Sequence, residues 1–376
     1  MNEAPIAFTY LTQMNERGAS DLYLTVGHQP TLRIEDELQP IMSEVLTVED
    51  VNEVIHSILT TKQRRDFEVS WELNTSLDMG GHGRFRVNIL KQRQYPCLVI
   101  RRIVSKIPDL SDLMLPPILE SLSMEKRGLI LVTGMTGSGK STTLASMLNH
   151  RNERKSGHIL TIEDPIEFYH EHKKSVVTQR EVGVDTESYA TALKNSLRQR
   201  PDVILIGEVR DPVVMDQALT IAETGHLCLA TLHTTNAYQA IERVVNFFPD
   251  DQQNQIRLNL SMNLKAIVSQ RLLPSLTGNL VPALEVMLNQ ALIREIIQKG
   301  QYEKITEVME QNNQIGMQTF DQSLIHLFSK GIISEETAIS QSDKSSDMRN
   351  KIQQVKLGQT EESLNHLDTS VLSVAD

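Results

Sequence analysis

The chain has 376 residues, room for two domains and a small third at roughly 100–200 residues each. Hydrophobic residues make up 40% and charged residues 23%, the balance of an ordinary globular protein rather than a disordered or fibrous one. Thirty-seven Lys and Arg against 48 Asp and Glu leave a net charge of −11, which weighs against a protein that lives on nucleic-acid phosphate, although a local basic patch stays open. The cysteines are Cys97 and Cys228, with no CxxC pattern, so neither a disulfide framework nor a cysteine metal site is expected. The amino terminus lacks a basic stretch followed by a long apolar one, and no apolar run is long enough to span a bilayer. The expectation is a cytoplasmic protein that meets membrane only through partners.

In chain order, residues 6–17 carry apolar side chains at helical spacing and stop at Gly18. Residues 21–26 and 31–34 alternate as strands. Thr47 offers an N-cap for a helix over 48–59, with Asp50 three residues on as the other half of a capping box. Strands are expected at 71–77, 84–90 and 98–103, separated by Gly80-Gly81 and by Tyr95-Pro96. Residues 1–106 thus read as a small sheet with helices packed on it, and 107–117, holding three prolines, as the connection to a second domain.

From Leu129 apolar strands alternate with amphipathic helices. Strands are expected at 129–133, 158–163, 202–208 and 227–231, and helices at 140–151, 187–200 and 212–223. This alternation predicts a largely parallel sheet covered on both faces. Beyond Leu273 the chain reads as mostly helical, with helices over 291–298, 302–310, 319–329 and 335–340. The second domain is taken as 118–357, and the polar, acidic stretch 358–376 as a disordered tail.

Four segments carry chemistry. Gly134-Met135-Thr136-Gly137-Ser138-Gly139-Lys140-Ser141 matches G-x-x-x-x-G-K-[ST] after an apolar strand and ahead of a helix that continues through Thr142. Its glycines turn backbone N–H groups onto phosphate oxygens, Lys140 reaches the β- and γ-phosphates, and the Ser141 hydroxyl suits Mg²⁺. Nucleotide binding follows. The segment 203–211 is a buried strand ending in Glu208, placed to offer a carboxylate to Mg²⁺ from the strand beside the phosphate loop, or to be an ordinary solvated strand end. Thr161-Ile-Glu163-Asp164-Pro165 ends another strand in acids at the edge where ligands of open α/β sheets bind, so Glu163 suits the activation of an attacking water; a helix cap or turn is the competing reading. His226 and His233 bracket a further strand. Seven residues apart they point to opposite faces, which does not suit one metal, and by themselves they read as two ordinary satisfied histidines. Arg84, Arg86, Arg93, Arg101 and Arg102 lie on the later strands of the first domain. They are either solvated and salt-bridged or delivered to another subunit's triphosphate.

Taken in chain order, the segments 134–141, 161–167, 207–211 and 226–233 resemble the Walker A, Asp box, Walker B and His box of the secretion ATPase superfamily. Within it, Ala19-Ser-Asp-Leu-Tyr-Leu and Gly316-Met-Gln-Thr-Phe-Asp-Gln-Ser-Leu324 are similar to segments of the type IV pilus retraction ATPases of the PilT/PilU family. Met135, Arg101-Arg102-Ile103 and a degraded AIRNLIRE motif at 291–298, with Arg294 kept and Gln298 in place of the second arginine, place the likeness nearer the accessory PilU type. The resemblance implies an α/β chain: a PAS-like α+β domain, then a RecA-like P-loop ATPase domain with a helical carboxyl-terminal part. It implies a hexameric ATP- and Mg²⁺-dependent motor for pilus retraction and twitching motility, peripheral to the inner membrane at the pilus base. It also implies a PilT-type paralogue and the inner-membrane platform protein as partners. Glu163 becomes the catalytic glutamate, Glu208 the Walker B acid, and His226 and His233 the His-box pair. Arg86 and Arg101 are the arginines given to a neighbour's site. An ATP-binding adaptor that stabilises the paralogous motor without hydrolysis of its own is the alternative, since the AIRNLIRE segment departs from the pattern. A DNA translocase is disfavoured by the acidic balance.

Overall fold

The computed structural model describes residues 6–35, 37–79, 83–103 and 106–365. The chain forms two compact units, Met1–Ile107 with Glu167–Tyr169, and Pro108–Ile166 with His170–Asp376.

The first unit has α1 (Ile6–Glu16), β1 (Asp21–Thr25), β2 (Thr31–Ile34), β3 (Glu37–Pro40), α2 (Val48–Ile58), α3 (Thr61–Ser70), β4 (Glu72–Asp78), β5 (Arg84–Gln92) and β6 (Tyr95–Ile103). Its strands run in the order β3-β2-β1-β6-β5-β4, every pair antiparallel. The alternation expected of strands with one buried face is realised in β5, where Phe85, Val87 and Ile89 are buried with Tyr10, Leu11 and Met14 of α1 and Val51 and Val54 of α2 in one core. The Thr47–Asp50 capping box forms in full, with Thr47 N donating to Asp50 Oδ2 at 2.8 Å and Asp50 N donating back to Thr47 Oγ1 at 3.2 Å. Two local details differ from the sequence reading. Arg93 and Gln94, both at positive φ (50° and 74°), make the β5–β6 turn, so Tyr95 and Pro96 belong to β6 rather than to the break. The polar segment 61–70 is a capped helix, α3. The Gly80-Gly81 turn lies outside the described residues.

The second unit continues with α4 (Ile118–Ser123), β7 (Gly128–Thr133), α5 (Lys140–Arg154), β8 (Gly157–Glu163), β9 (Ser175–Glu181), α6 (Tyr189–Ser196), β10 (Val203–Ile206), α7 (Pro212–Glu223) and β11 (Leu227–Leu232). Then come α8 (Ala237–Asn246), α9 (Asp250–Asn263), β12 (Leu264–Pro274), β13 (Leu280–Leu288), α10 (Ala291–Lys299), α11 (Ile305–Gln311), α12 (Phe320–Ser329), α13 (Glu335–Gln341) and α14 (Ser345–Asn365). The sheet order is β13-β12-β7-β11-β10-β8-β9, parallel throughout except for β12–β13. Strands β7, β10 and β11 are buried at every residue, which is why they read as unbroken apolar runs.

Three expectations are corrected here. The stretch after Leu273 is not helical at once, because β12 ends in a hairpin with β13, whose Leu, Ala, Glu and Met are also good helix formers. The proline-rich stretch is no free connection: Leu110 is buried in the second core and Ser146 Oγ donates to Pro108 O at 2.7 Å. Finally, α14 carries the backbone as helix to Asn365, past the expected start of the tail; 366–376 lies outside the described residues. The 316–324 motif is absorbed by packing: Thr319 and Gln322 box the start of α12, and Phe320 anchors a small core with Leu324, Met348 and Ile352.

Glu285 on β13 is buried, and its Oε1 accepts from Ala237 N, in the first turn of α8, at 2.6 Å and from Ser269 Oγ at 3.1 Å. Burial pushes its carboxyl up to about 7 from 4.5, against the pull of these two donors. A raised folded value means the folded protein holds more protons than the unfolded chain between those limits, so stability falls as pH rises from about 4.5 to about 7 and is flat above. Glu285→Gln keeps the acceptor and removes the titration. Urea unfolding at pH 5 and pH 7.5 is expected to show the variant gaining on the order of 1–3 kcal/mol relative to wild type across that interval.

Candidate active site

The parallel strands deliver their carboxyl ends to one edge of the sheet. There β7 passes into the glycine loop, β8 ends on Glu163, β10 runs on into Glu208 and β11 into His233. The edge is held together beyond the strands themselves: Gly207 N donates to Ile162 O at 2.8 Å, Val209 N to Thr231 O at 3.0 Å, and Thr231 Oγ1 to Gly207 O.

The loop is shaped by contact as much as by turning. A β-carbon on Gly134 (φ 148°) would stand 2.4 Å from Gln270 O and 2.4 Å from Ser138 Oγ. One on Gly139 (φ 85°) would stand 2.8 Å from Gln270 Nε2. Gln270, on β12, braces the loop from the side and accepts from Thr143 Oγ1 at 2.7 Å. Lys140 is buried, with Nζ donating to Gly134 O at 2.8 Å and Met135 O at 2.9 Å, so its ammonium is curled inside the loop. Met135, Thr136 and Gly137 form the exposed crown. Gly139 caps α5 with no side-chain acceptor, leaving the first N–H groups of that helix for an anion. The Ser138 hydroxyl is buried with no protein partner among the described residues. Together with the half-buried Ser141 and Thr142 at the helix start, these features fit a bound phosphate chain.

Glu163 is half-buried, and Thr161 Oγ1 (2.7 Å) and Gln179 Nε2 (3.4 Å) both donate to its Oε1, which fixes the rotation of the carboxylate. Glu208 accepts from Arg210 Nε at 2.7 Å on Oε2 and lies 2.9 Å from His233 Nε2 through Oε1. Burial raises the Glu208 carboxyl, but the Arg210 hydrogen bond and the charges of Arg210, His233 and Lys140 outweigh it and hold the group below its ordinary value. The influence of Lys140 ties this carboxylate to the phosphate loop. Sequence reasoning placed Glu208 on the strand next to the loop's; in the sheet β11 stands between β10 and β7, an order the linear chain does not disclose.

Tyr189, at the start of α6, was missed. Its hydroxyl faces Gly207, and burial and the charges of Asp164 and Glu163 push its phenol up, keeping it neutral. Gln270 was missed as well, being far along the chain. Arg210 lay inside a quoted motif without a role.

His226 does not join this edge. It precedes β11 at the amino end, where its carbonyl accepts from Gly128 N, while His233 follows the carboxyl end. A strand of this length separates them by about 20 Å at ~3.3 Å per residue. In the first unit Arg101 and Arg86 are direct partners across β6 and β5, with Asp21 next to Arg101 on β1. Arg101 Nε bridges to the buried Asp21 at 2.7 Å. Arg84 bridges to Asp78 at 3.2 Å.

The chain belongs to the type II/IV secretion system protein family, whose sequence pattern matches residues 6–363. Its place there is among the pilus ATPases PilT and PilU. It is 46% identical over 360 residues to the type IV pilus ATPase PilU of Pseudomonas aeruginosa, covering 96% of this chain and 93% of that one. It is 43% identical over 323 residues to the type IV pilus retraction ATPase PilT of the same organism, covering 86% and 94%. The crystal structure of the pilus retraction motor PilT with bound ADP superposes with a TM-score of 0.86 at 40% identity, over 93% of this chain and all of that one.

The bracing of the loop makes a direct prediction. Gly134→Ala drives a methyl into the Gln270 carbonyl, which is backbone and cannot swing away. ADP titrated calorimetrically into the folded variant is expected to bind at least ~10-fold more weakly than to wild type, about 1.4 kcal/mol.

Proposed function

We propose that the chain is an ATP-hydrolysing motor for type IV pilus retraction, PilU-like, acting as a hexameric ring beside a PilT-type paralogue. The observation that carries this reading is the meeting of the glycine loop, Glu163 and Glu208 at one sheet edge, with Glu208 held ionised. The first unit is read as PAS-like and the second as RecA-like. The ring works at the cytoplasmic face of the inner membrane, against the platform protein of the pilus machine.

Lys140 and the N-terminus of α5 hold the β- and γ-phosphates of ATP. Ser141 and Glu208 would hold Mg²⁺, which when bound would supply charge neutralisation at the phosphates. Glu163 orients a water and takes its proton as the water oxygen attacks the γ-phosphorus and ADP leaves. His233 and Arg210 keep Glu208 ionised. Arg86 and Arg101 put two guanidinium groups side by side on one sheet face, an arrangement that like charges resist unless an anion meets them. Asp21 meets Arg101 within the chain, and a neighbour's triphosphate is read as the further anion for the exposed pair. His226, at the other edge, has no part in this chain's own phosphate site. The intact carboxylates favour a hydrolysing enzyme over the adaptor.

In purified protein, Lys140→Ala is expected to abolish hydrolysis and weaken ATP binding, while Glu163→Gln retains ATP and turns over ~10²-fold or more slowly. Wild-type turnover in either variant refutes the assignment. A mixture of Arg86→Ala/Arg101→Ala protein with Lys140→Ala protein is expected to regain ATPase activity that neither shows alone, since a transferred arginine supplies ~10³-fold or more in rate. An arginine variant that hydrolyses normally as an intact ring removes the role between subunits.

A further inference from the structure

Strand β9 closes one edge of the second unit's sheet, and its pairing with β8 aligns Thr161 with Gln179 and Glu163 with Glu181. Aligned residues share a face and every second residue returns to it, so these four side chains stand on one side of the sheet.

Gln179 uses both ends of its amide there. Its Oε1 accepts from His170 N at 2.8 Å, and its Nε2 donates to Glu163 Oε1 at 3.4 Å. The first bond settles the second. A backbone N–H only donates, so the carbonyl end of the amide must face His170 and the NH₂ end must face Glu163. The anchor is itself fixed. The His170 side chain is buried, and burial pulls its imidazole down to about 4, so it stays neutral and adds no charge. Ile166 N donates to the buried Glu181 at 3.2 Å, so β9 holds the chain on both sides of residues 167–169.

The residue type separates a structural role from a functional one. Holding His170 N needs only an acceptor, which a glutamate supplies as well as a glutamine. The donor serves Glu163. Thr161 reaches that oxygen along β8 and Gln179 reaches it across from β9, so the carboxylate is steered from two strands. A carboxylate at 179 would crowd three acids, with Glu163 and Glu181, onto one face, where like charges oppose one another. The other titratable and charged groups nearby are Asp164 beside Glu163 and Tyr189 on α6, with Glu208 and Arg210 also acting on that phenol.

We propose that Gln179 is a positioning residue for hydrolysis, its amide turned by the His170 N–H so that it steers the Glu163 carboxylate toward the attacking water. The assignment rests on the reading of Glu163 as the base given above.

The test removes the donor and keeps the acceptor. Full-length wild type, Gln179→Glu, Gln179→Leu, Glu163→Gln and the Gln179→Leu/Glu163→Gln double variant are compared for ATP turnover and KM from about pH 5.5 to 9 and for ADP binding by calorimetry. Gln179→Glu still accepts from His170 N but sets a like charge against Glu163. Its turnover near pH 7 is expected to fall about tenfold, with KM and ADP affinity within about twofold of wild type, and the acid limb of its profile to move up by about one pH unit. Gln179→Leu is expected to slow the wild type about tenfold and the Glu163→Gln protein by less than about twofold, because the side chain acts through the carboxylate. Wild-type turnover and an unmoved acid limb in Gln179→Glu, beside a slowed Glu163→Gln, leave the amide a loop anchor and overturn the proposal alone. Slowing by the same factor in both backgrounds overturns it too. If Gln179→Leu does not fold, Gln179→Glu decides by itself. Wild-type turnover in Glu163→Gln overturns the base assignment and this proposal together.

Discussion

The contact between the glycine loop and β12 sets the terms for the second unit. At Gly134 the loop presses so closely on the Gln270 carbonyl that no side chain fits, and at Gly139 it presses on the Gln270 amide. The loop can therefore keep its shape only if β12 is in register beside β7. That register requires the parallel pairing from Leu264–Leu129 to Ser269–Thr133, with its irregularity between Leu264 and Ala266. Asn289 secures the same region from below, its amide donating to the carbonyls of Ser261 and Leu264, where α9 turns into β12. Glu285 fastens the far side by holding the first turn of α8.

Electrostatics at the sheet edge follow from how charges are spaced across it. Glu208 would be driven toward its neutral form by burial alone, yet Arg210 and His233 flank it and Lys140 acts from the loop. Tyr189 sits among Asp164, Glu163 and Glu208, and its burial, reinforced by those carboxylates, holds it neutral. The edge thus keeps Glu208 charged and the Tyr189 phenol uncharged, a pre-set field of the kind that favours charge development in a reaction.

Much of this was legible in the chain because the central strands are short apolar runs punctuated by motifs. The glycine loop, Glu163 and Glu208 fall at strand ends that periodicity alone could mark. What escaped depended on order in space. The strand between Glu208 and the loop, the brace from Gln270 and the phenol of Tyr189 all come from residues distant in sequence. Strands β9 and β13 were missed for opposite reasons: Ser175–Glu181 is a half-polar edge strand, and Leu280–Leu288 is rich in helix formers. His226 shows the limit of the resemblance. It grouped the two histidines as a pair, while their bracketing of one strand already set them at its opposite ends.

Arg271 follows Gln270 on β12 and lines the cavity in front of the glycine loop together with Gln341. Its guanidinium lies 3.9 Å from the Phe320 ring centroid, donates to Gln341 O at 2.6 Å and meets Asp343 at 3.1 Å. Asp343 N in turn donates to Asp321 Oδ1. A single side chain on the cavity wall is therefore also the peg on which α12 and the end of α13 hang. Linkage makes such an arrangement reciprocal: any ligand that binds more tightly when the peg is seated strengthens the seating of those helices by the same factor. A force that unseated the peg would then lower the affinity of such a ligand by the factor with which the ligand resists the unseating.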